Sequence, residues 1–167
     1  MEATGPESSS RLQAEIRQTR LFSSPAQEAL LGLMRTNDEV RRRINLVVEP
    51  RDLSIQQYNV LRILRGAGGP GLATLDVAGR MIERTPGITR LMDKLEAKAL
   101  VERKRGPADR RQVMCFITQA GLDLLASLDE PMSQSVHDSM AGLTELELRE
   151  LIGLLDKLRT PVSPTEL

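Results

Sequence analysis

Apolar side chains along most of this chain recur at steps of three and four residues, the spacing of one face of an α-helix. This pattern predicts four amphipathic helices, at residues 25–48, 54–65, 118–140 and 145–159. Ser24, Ser54 and Thr144 each precede one of them and are followed three residues later by Gln or Glu, the pattern of a capping box. Pro131 falls inside the third helix and is expected to kink or break it.

The middle of the chain has shorter elements. Thr74 and Thr85 are expected to cap two short helices that end near residues 82 and 98 and are joined by a tight turn. The pattern then predicts two short strands, 100–105 and 111–117. Gly106–Asp109 between them has turn chemistry. Because two helices and a β-hairpin in this order form a winged helix-turn-helix, the predicted fold class is mainly α with a small β-hairpin wing, flanked by N- and C-terminal dimerisation helices.

Charge is concentrated in this middle region. Residues 80–111 carry ten basic and five acidic side chains, a net charge of +5 in a chain whose formal net charge is zero. A basic patch on an otherwise acidic protein is typical of a nucleic-acid-binding surface, although charged residues also form ordinary solvated faces. We therefore predict DNA binding, and we keep a winged-helix module that binds a protein partner as the alternative.

Length and composition set the organisation of the chain. At 167 residues it is one domain by size, and with only 2% aromatic residues its core must consist of aliphatic side chains. No apolar run reaches the ~18–20 residues of a membrane span, and no signal segment is found, so a cytoplasmic protein without membrane partners is expected. The predicted segments are a flexible N-terminal arm 1–22, a regulator domain 23–160 and a frayed tail 161–167. Within that domain we expect a DNA-binding lobe at 53–117 and dimerisation helices at 23–48 and 118–160.

Catalytic and metal-binding chemistry is not indicated. His137 is the only histidine, and Cys115 is the only cysteine and lies in the middle of a predicted strand. A lone surface histidine and a structural thiol are the expected roles, and no Cys/His cluster has the spacing of a metal site. We predict that the protein is not an enzyme and has no cofactor.

The first long helix carries a heptad seam from Leu30 to Val47. A seam of this length suggests a second chain, and the alternative is packing inside one subunit. Asn37 lies on the seam, where it could set the register of a coiled coil or be a satisfied polar core residue. The sequence favours a homodimer.

Residues 89–121 resemble the MarR family of winged helix-turn-helix regulators. The matching motifs, in chain order, are Thr89–Glu96, Leu100–Arg103, Asp109–Arg111 and Ile117–Gly121. Their order and spacing together make the resemblance specific, and it extends at lower specificity from about Pro25 to Arg159. The family usually has Gly before the Leu-Val of the first wing strand, where a left-handed turn ends the helix, and this chain has Ala99 there.

The resemblance implies a dimeric regulator that represses nearby genes and reads a near-palindromic operator in double-stranded DNA. Helix 85–98 is expected in the major groove and the hairpin tip in the minor groove, with Arg111 as the inserted arginine and Asp109 orienting it or its neighbour. The expected recognition-helix contacts are Thr85, Thr89, Arg90 and Lys94. The expected hairpin contacts are Arg103, Arg105, Asp109, Arg110 and Arg111. Ser54, Gln56 and Gln57, at a helix N-terminus, are expected to contact phosphate.

Family members often release DNA when a small aromatic or phenolic acid binds between the dimerisation helices and the DNA-binding lobe. The candidate ligand-binding residues are Arg41, Tyr58 and Arg62, since an arginine in an apolar cleft suits a carboxylate. The alternative is that these arginines face solvent or phosphate and that the cleft is simply core.

Overall fold

The computed structural model describes residues 10–84, 87–106 and 112–160. The chain divides into two compact units, with the boundary after Arg42. The helices are α1 (Arg11–Glu15), α2 (Pro25–Val48), α3 (Ile55–Ala67), α4 (Thr74–Arg80), α5 (Ile88–Ala97), α6 (Gln119–Met140) and α7 (Glu145–Arg159). The strands are β1 (Leu72–Ala73), β2 (Val101–Arg105) and β3 (Val113–Ile117), and a short 3₁₀ turn, Glu49–Arg51, follows α2. The predicted fold class is confirmed.

The first unit contains a short helix, α1, within the predicted flexible arm 1–22. Ser10 caps α1 by accepting a hydrogen bond from the Gln13 backbone N–H at 3.2 Å. The Gln13 side chain is buried and donates to the carbonyl of Arg20 at 3.3 Å, which holds the segment after the helix close to it. Residues 10–22 therefore include an ordered turn of helix, while residues 1–9 of the predicted arm lie outside the described residues.

At the start of α2, the predicted N-cap residue is confirmed, but one hydrogen bond of the predicted capping box goes to a different residue. The Ser24 hydroxyl accepts from the Gln27 N–H at 3.2 Å, as expected of an N-cap. The Gln27 side chain bonds the backbone N–H of Ser23, at 2.7 Å, rather than that of Ser24. The reciprocal bond of the predicted capping box is thus displaced by one residue.

The core of the second unit lies among α3, α4, α5 and α6. Its largest fully buried side chains are aliphatic, as the scarcity of aromatic residues requires: Leu61, Leu64, Met92, Leu95, Leu125 and Leu128. Ile44 and Val47 from the last turns of α2 pack against this core. Because α4 and α5 contribute only one or two buried side chains each, both helices depend on packing against α3 and against each other for their stability.

The sheet is antiparallel with the order β1-β3-β2. β2 and β3 form the predicted hairpin, with Val101 opposite Ile117 and Arg105 opposite Val113. β1 was not predicted, because a strand of two residues has no alternation that a sequence pattern can reveal. It pairs with β3 through Leu72 opposite Cys115 and ties the segment before α4 to the wing.

Two predicted helix caps are replaced by other residues, and one helix continues through a proline that was expected to kink or break it. α4 has Ala73 as its N-cap, and Thr74 is its first residue, with a hydroxyl that donates to the Val113 carbonyl at 3.4 Å. α5 begins at Ile88 with Gly87 as its N-cap residue, whereas Thr85, the predicted cap, lies outside the described residues. α6 continues through Pro131 and is not broken there. A proline leaves one carbonyl of the preceding turn without its helical donor, and packing of the flanking Leu128 and Met132 into the core stabilises the helix.

The last helix follows its sequence signal closely. The Thr144 hydroxyl accepts from the Glu147 N–H, and the Glu147 carboxylate accepts from the Thr144 N–H at 2.7 Å, which completes a capping box. None of the residues of α7 is buried within the described chain. Among the described residues, no helix is both long enough and apolar enough to cross a membrane.

Candidate DNA-binding interface

Helix α5 is anchored by one face and leaves the other exposed. Met92 and Leu95 are fully buried, and Ile88 and Leu91 pack against the core beside them. These spacings of three and four residues place a single apolar stripe against α3 and α4. The opposite face is available to a ligand outside the protein.

The exposed face of α5 carries the side chains that the sequence nominated. Thr89, Arg90 and Lys94 are all exposed. Neither Arg90 nor Lys94 has an ion-pair partner within the described part of the chain. Two cations and a hydroxyl on one face of a helix can donate to phosphate oxygens or to the edges of bases.

The entry into α5 is set by Gly87. Its φ is 102°, a left-handed conformation that strains any residue with a Cβ atom, and no side chain caps the helix at this point. The first backbone N–H groups of α5 therefore have no side-chain acceptor from the N-cap residue. Upstream, the side chain of Asn59 accepts from the Ile82 N–H at 3.0 Å and fixes the turn between α4 and α5 to α3.

The β2–β3 hairpin carries a second set of exposed basic side chains, in addition to those on α5. The Gly106 N–H donates to the Gln112 carbonyl at 2.8 Å and closes the hairpin below its tip. Lys104 and Arg105 are exposed on β2. The Lys104 ammonium lies 5.4 Å from the centre of the Phe116 ring and 2.6 Å from a carboxylate oxygen of Glu102, whereas Arg105 has no ion-pair partner among the residues described.

Arg103 makes contacts that the sequence did not predict. Its Nε donates to Oε2 of Glu96 at 2.8 Å, its backbone N–H donates to Oε1 at 3.2 Å, and Nη2 lies 2.6 Å from Asp93 Oδ1. These hydrogen bonds lower the pKa of Glu96 and raise the pKa of Arg103. The guanidinium is thus held by α5, and its charge is largely compensated inside the protein.

The three polar residues at the start of α3 also have partners inside the protein. Gln57 is 5% exposed, and its side-chain oxygen accepts from the Ser54 N–H at 3.0 Å while the Ser54 hydroxyl accepts from the Gln57 N–H at 3.2 Å. Gln56 donates to Oε2 of Glu83 at 3.0 Å, across to the turn after α4. The predicted capping box is confirmed. Its two residues, Ser54 and Gln57, are also among the expected phosphate contacts, and their side chains are engaged in these hydrogen bonds.

Two further contacts position the C-terminal end of α5. The Lys98 ammonium lies 2.8 Å from Oδ2 of Asp52 and also donates to the Asp52 carbonyl. The Thr118 hydroxyl, at the start of α6, donates to the Ala99 carbonyl at 2.7 Å and accepts from the Gly121 N–H at 3.1 Å. The turn that joins α5 to the wing is thereby fixed from two sides.

Four of the predicted contact residues lie outside the described residues. They are Thr85, Asp109, Arg110 and Arg111. Of the other eight, the structure brings Thr89, Arg90 and Lys94 onto one exposed helix face and leaves Arg105 exposed on the hairpin. Asp93 and Glu96 were missed as partners of Arg103, although acidic residues one helical turn apart, followed by a basic residue on the next strand, are a signal that could have indicated this pairing.

The candidate ligand-binding residues belong to different parts of the chain. Tyr58 is buried in α3, its pKa is raised by that burial, and the Arg62 guanidinium lies 5.8 Å from the centre of its ring. Nearby, Arg65 makes two hydrogen bonds to Asp129 of α6, at 2.9 and 3.0 Å, which lower the pKa of Asp129. Arg41 is half-buried in the first unit.

Cys115 is a structural residue of the sheet. It is fully buried in β3, and its Sγ atom lies 3.4 Å from the Thr74 hydroxyl. Burial raises the pKa of this thiol, which keeps it protonated and weakly nucleophilic. Across the described ranges, no group of three or more His, Cys, Asp or Glu residues is arranged to hold a metal ion.

Known proteins share this arrangement of helix, turn, helix and hairpin. The MarR family profile matches residues 53–113, from the start of α3 to the start of β3. A MarR transcription factor from Planctomyces limnophilus is 43% identical, with a TM-score of 0.63 over 81% of this chain and 98% of its own. The chain belongs to the MarR family. It is therefore a DNA-binding transcriptional regulator, and members of this family are not enzymes.

Relatives agree with this assignment. The HTH-type transcriptional regulator YpoP from Bacillus subtilis is 31% identical over 72% of this chain and 83% of its own length. A putative transcriptional regulatory protein for the hcr operon of Thauera aromatica is 32% identical, and the match spans 65% of this chain and 64% of that protein.

Two solved structures share the fold of this MarR-family chain. A cysteine-to-serine mutant of MarR from E. coli, complexed with operator DNA, has a TM-score of 0.71 at 24% identity, over 90% of this chain and all of its own. BpsR from Bordetella bronchiseptica, whose DNA binding is regulated by 6-hydroxynicotinic acid, has a TM-score of 0.73 at 23% identity, over 86% of this chain and 99% of its own.

Proposed function

We propose that this protein is a homodimeric repressor that binds a near-palindromic operator and is released from it by a small aromatic acid. The observation that carries the DNA-binding half of this proposal is the exposed face of α5, where Thr89, Arg90 and Lys94 lie together without internal ion pairs among the described residues. That face enters the major groove, where Arg90 and Lys94 donate to bases or phosphates. A chromosomal regulator acts where the DNA is, so we place the protein in the cytoplasm.

The wing supplies the second contact. Arg105 on β2 and the residues of the hairpin tip reach the adjacent minor groove, with Arg111 inserted and Asp109 orienting it, as in the family pattern. A narrow, A·T-rich minor groove concentrates negative potential and attracts a guanidinium. We retain Arg110 and Thr85 as contacts on sequence grounds, and we leave out Gln57 and Arg103 because their side chains are bonded inside the protein. Ser54 and Gln56 remain secondary candidates for phosphate.

Exposed apolar side chains support the dimer. Leu30, Leu33 and Met34 are exposed on α2, and so are four large apolar side chains on α7: Leu146, Ile152, Leu154 and Leu158. Apolar stripes of this length are stable when they are covered, and a two-fold axis lets each subunit cover the other. Such a dimer reads two half-sites about one helical turn apart, or ~10 base pairs.

The ligand-release half of the proposal concerns the surroundings of Tyr58 on α3. Tyr58 and Arg62 on α3 supply an aromatic ring and a guanidinium group that suit an aromatic carboxylate, and Arg41 is retained as a candidate on sequence grounds. The regulation of BpsR by 6-hydroxynicotinic acid is an example of an aromatic acid acting on a protein of this fold. A ligand changes DNA affinity only if it binds the DNA-incompetent conformation more tightly than the competent one. An aromatic carboxylate is therefore expected both to raise the melting temperature and to weaken operator binding.

Selection of DNA fragments from a random-sequence pool by the purified full chain tests the proposal. Fragments with two related half-sites are expected, and the logarithm of the binding constant should fall linearly with the logarithm of salt concentration, with a slope of about −0.9 per phosphate neutralised. Recovery of no preferred sequence, together with a shallow salt dependence, would favour a winged-helix module that binds a protein partner.

A further inference from the structure

Glu96 and Arg103 link two elements that must act together on DNA. Glu96 is in the last turn of α5, and Arg103 is at the centre of β2, opposite Cys115 of β3. Both carboxylate oxygens of Glu96 accept hydrogen bonds from Arg103, one from its backbone N–H and the other from its guanidinium. Asp93, one turn earlier on α5, contacts the same guanidinium at 2.6 Å.

The geometry restricts motion of the wing. A single ion pair between two surface side chains would allow the hairpin to swivel, whereas bonds to both the backbone and the side chain of one strand residue do not. Arg105 is two residues further along β2, so its side chain leaves the same face of the strand as that of Arg103. The contacts between Arg103 and α5 therefore also fix the position of Arg105 relative to the helix that carries Arg90 and Lys94.

The burial of the pair fits this role. The Arg103 side chain is 25% exposed and that of Glu96 is 39% exposed, so both are less accessible than the Lys104–Glu102 pair on the same hairpin, at 61% and 48%. An exposed pair contributes little to any geometry because water competes for both partners. The Glu96–Arg103 pair is partly buried and makes several hydrogen bonds, so it keeps a fixed geometry better than the exposed Lys104–Glu102 pair does.

We propose that Glu96 and Arg103 form a clamp that fixes the wing against the recognition helix, and that both are positioning residues for DNA binding rather than DNA contacts. The proposal rests on the proposed DNA-binding function. Under this proposal Glu96 increases the affinity for DNA although both are negatively charged. The free energy gained by holding the wing in position before DNA binds exceeds the repulsion between Glu96 and phosphate.

The sign of the effect of Glu96→Gln distinguishes the clamp from simple electrostatics. Removal of a negative charge beside a DNA-binding face should tighten binding if only charge matters. The clamp predicts weaker binding, by about three- to ten-fold, and a similar loss for Arg103→Gln. The double variant should be little worse than either single variant, because the same interaction is lost only once.

The matched control is Glu102→Gln. Glu102 is an exposed acidic residue on the same strand, and it pairs only with Lys104 among the residues described. Its replacement removes one negative charge from the wing, as Glu96→Gln removes one from α5, but leaves the contacts between the wing and α5 in place. Binding is expected to be unchanged or slightly tighter.

The experiment measures fluorescence anisotropy of the full-length variants on a DNA fragment selected by the wild-type chain, at several salt concentrations. A clamp leaves the salt slope of Arg103→Gln at the wild-type value, whereas loss of a direct phosphate contact makes it shallower by about 0.9. The milder Glu96→Asp, which shortens the side chain by one methylene, is expected to weaken binding in the same direction if Glu96→Gln does not fold. Equal or tighter binding of the folded Glu96 variant, or a slope change of about 0.9 for Arg103→Gln, would overturn the clamp. Failure of the wild-type chain itself to select DNA would instead overturn the proposed function.

Discussion

Ala99 has a backbone φ of 55° at the turn between the recognition helix and the wing. Its N–H donates to the Glu96 carbonyl at 2.8 Å, so the turn that the family usually makes with glycine is made here by alanine. The left-handed conformation costs a residue with a Cβ atom roughly 1–2 kcal/mol, part of which is offset because alanine has less freedom to lose on folding than glycine.

Replacement of Ala99 by glycine is therefore expected to raise the free energy of unfolding by up to about 1 kcal/mol. Urea denaturation followed by circular dichroism measures this change. Ala97→Gly is the control, because Ala97 is the last residue of α5 and has ordinary helical geometry. The control should be destabilised by roughly 0.5–1 kcal/mol, and stabilisation of both variants, or of neither, would contradict the account of the turn.

Gly121 is required by close packing rather than by backbone conformation. A Cβ atom at this position would lie 2.4 Å from the Leu100 carbonyl oxygen, a backbone atom that cannot move independently. Gly121→Ala is expected to destabilise the fold by about 1–3 kcal/mol, the usual cost of overpacking. Gly66→Ala, on the exposed side of α3 with no atom within 4 Å of the added carbon, should instead stabilise it by roughly 0.5–1 kcal/mol. Melting temperatures that move in the same direction for both would refute this reading.

At the scale of elements, α3 and α6 are joined by the Arg65–Asp129 ion pair. The side chains are 36% and 51% exposed, so the pair contributes about 1 kcal/mol or less. Its two hydrogen bonds nevertheless hold the pKa of Asp129 below its ordinary 3.8. A carboxyl group whose pKa is lower in the folded state stabilises the fold above its unfolded pKa and loses that contribution as the pH falls.

Asp129→Asn should therefore be less stable than the wild type at pH 7, by up to about 1 kcal/mol, and the difference should shrink as the pH falls below 3.8. Urea titrations between pH 7 and pH 3 measure the difference directly. Asp123→Asn, a substitution on the same helix at a residue that bonds only Gln119 among those described, is the control and should show a smaller difference. A difference for Asp129→Asn that stays constant with pH would show that the ion pair is not its cause.

At the scale of the whole molecule, the apolar faces of α2 and α7 make assembly testable. Leu154 is 58% exposed on α7 and belongs to a wider stripe of exposed apolar side chains on that helix. Stable monomers rarely expose an apolar stripe of this size. Leu154→Glu is expected to shift the sedimentation coefficient from dimer to monomer at micromolar concentration. Leu75→Glu, at an equally apolar residue that is 81% exposed on α4, should leave the dimer intact. A wild-type chain that already sediments as a monomer would remove the proposed dimer.

Local signals in the sequence determined the elements. The heptad spacing of α2, the capping box of α7 and the turn residues between β2 and β3 each act over a few neighbouring residues, and these elements form where they were predicted. The exposed positions of Thr89, Arg90 and Lys94 follow in the same way, because the apolar stripe of α5 defines its opposite face.

The tertiary structure decided how the long polar side chains are used. Arg103 reaches Glu96, Gln56 reaches Glu83 and Lys98 reaches Asp52, over separations of 7, 27 and 46 residues. A flexible charged or amide side chain can reach several partners, and its choice depends on which backbone segments the fold brings near it. Helical period and capping are local and can be predicted from sequence. Whether a basic side chain stays exposed, as Arg90 does, or is bonded inside the protein, as Arg103 is, depends on contacts made only after the chain has folded.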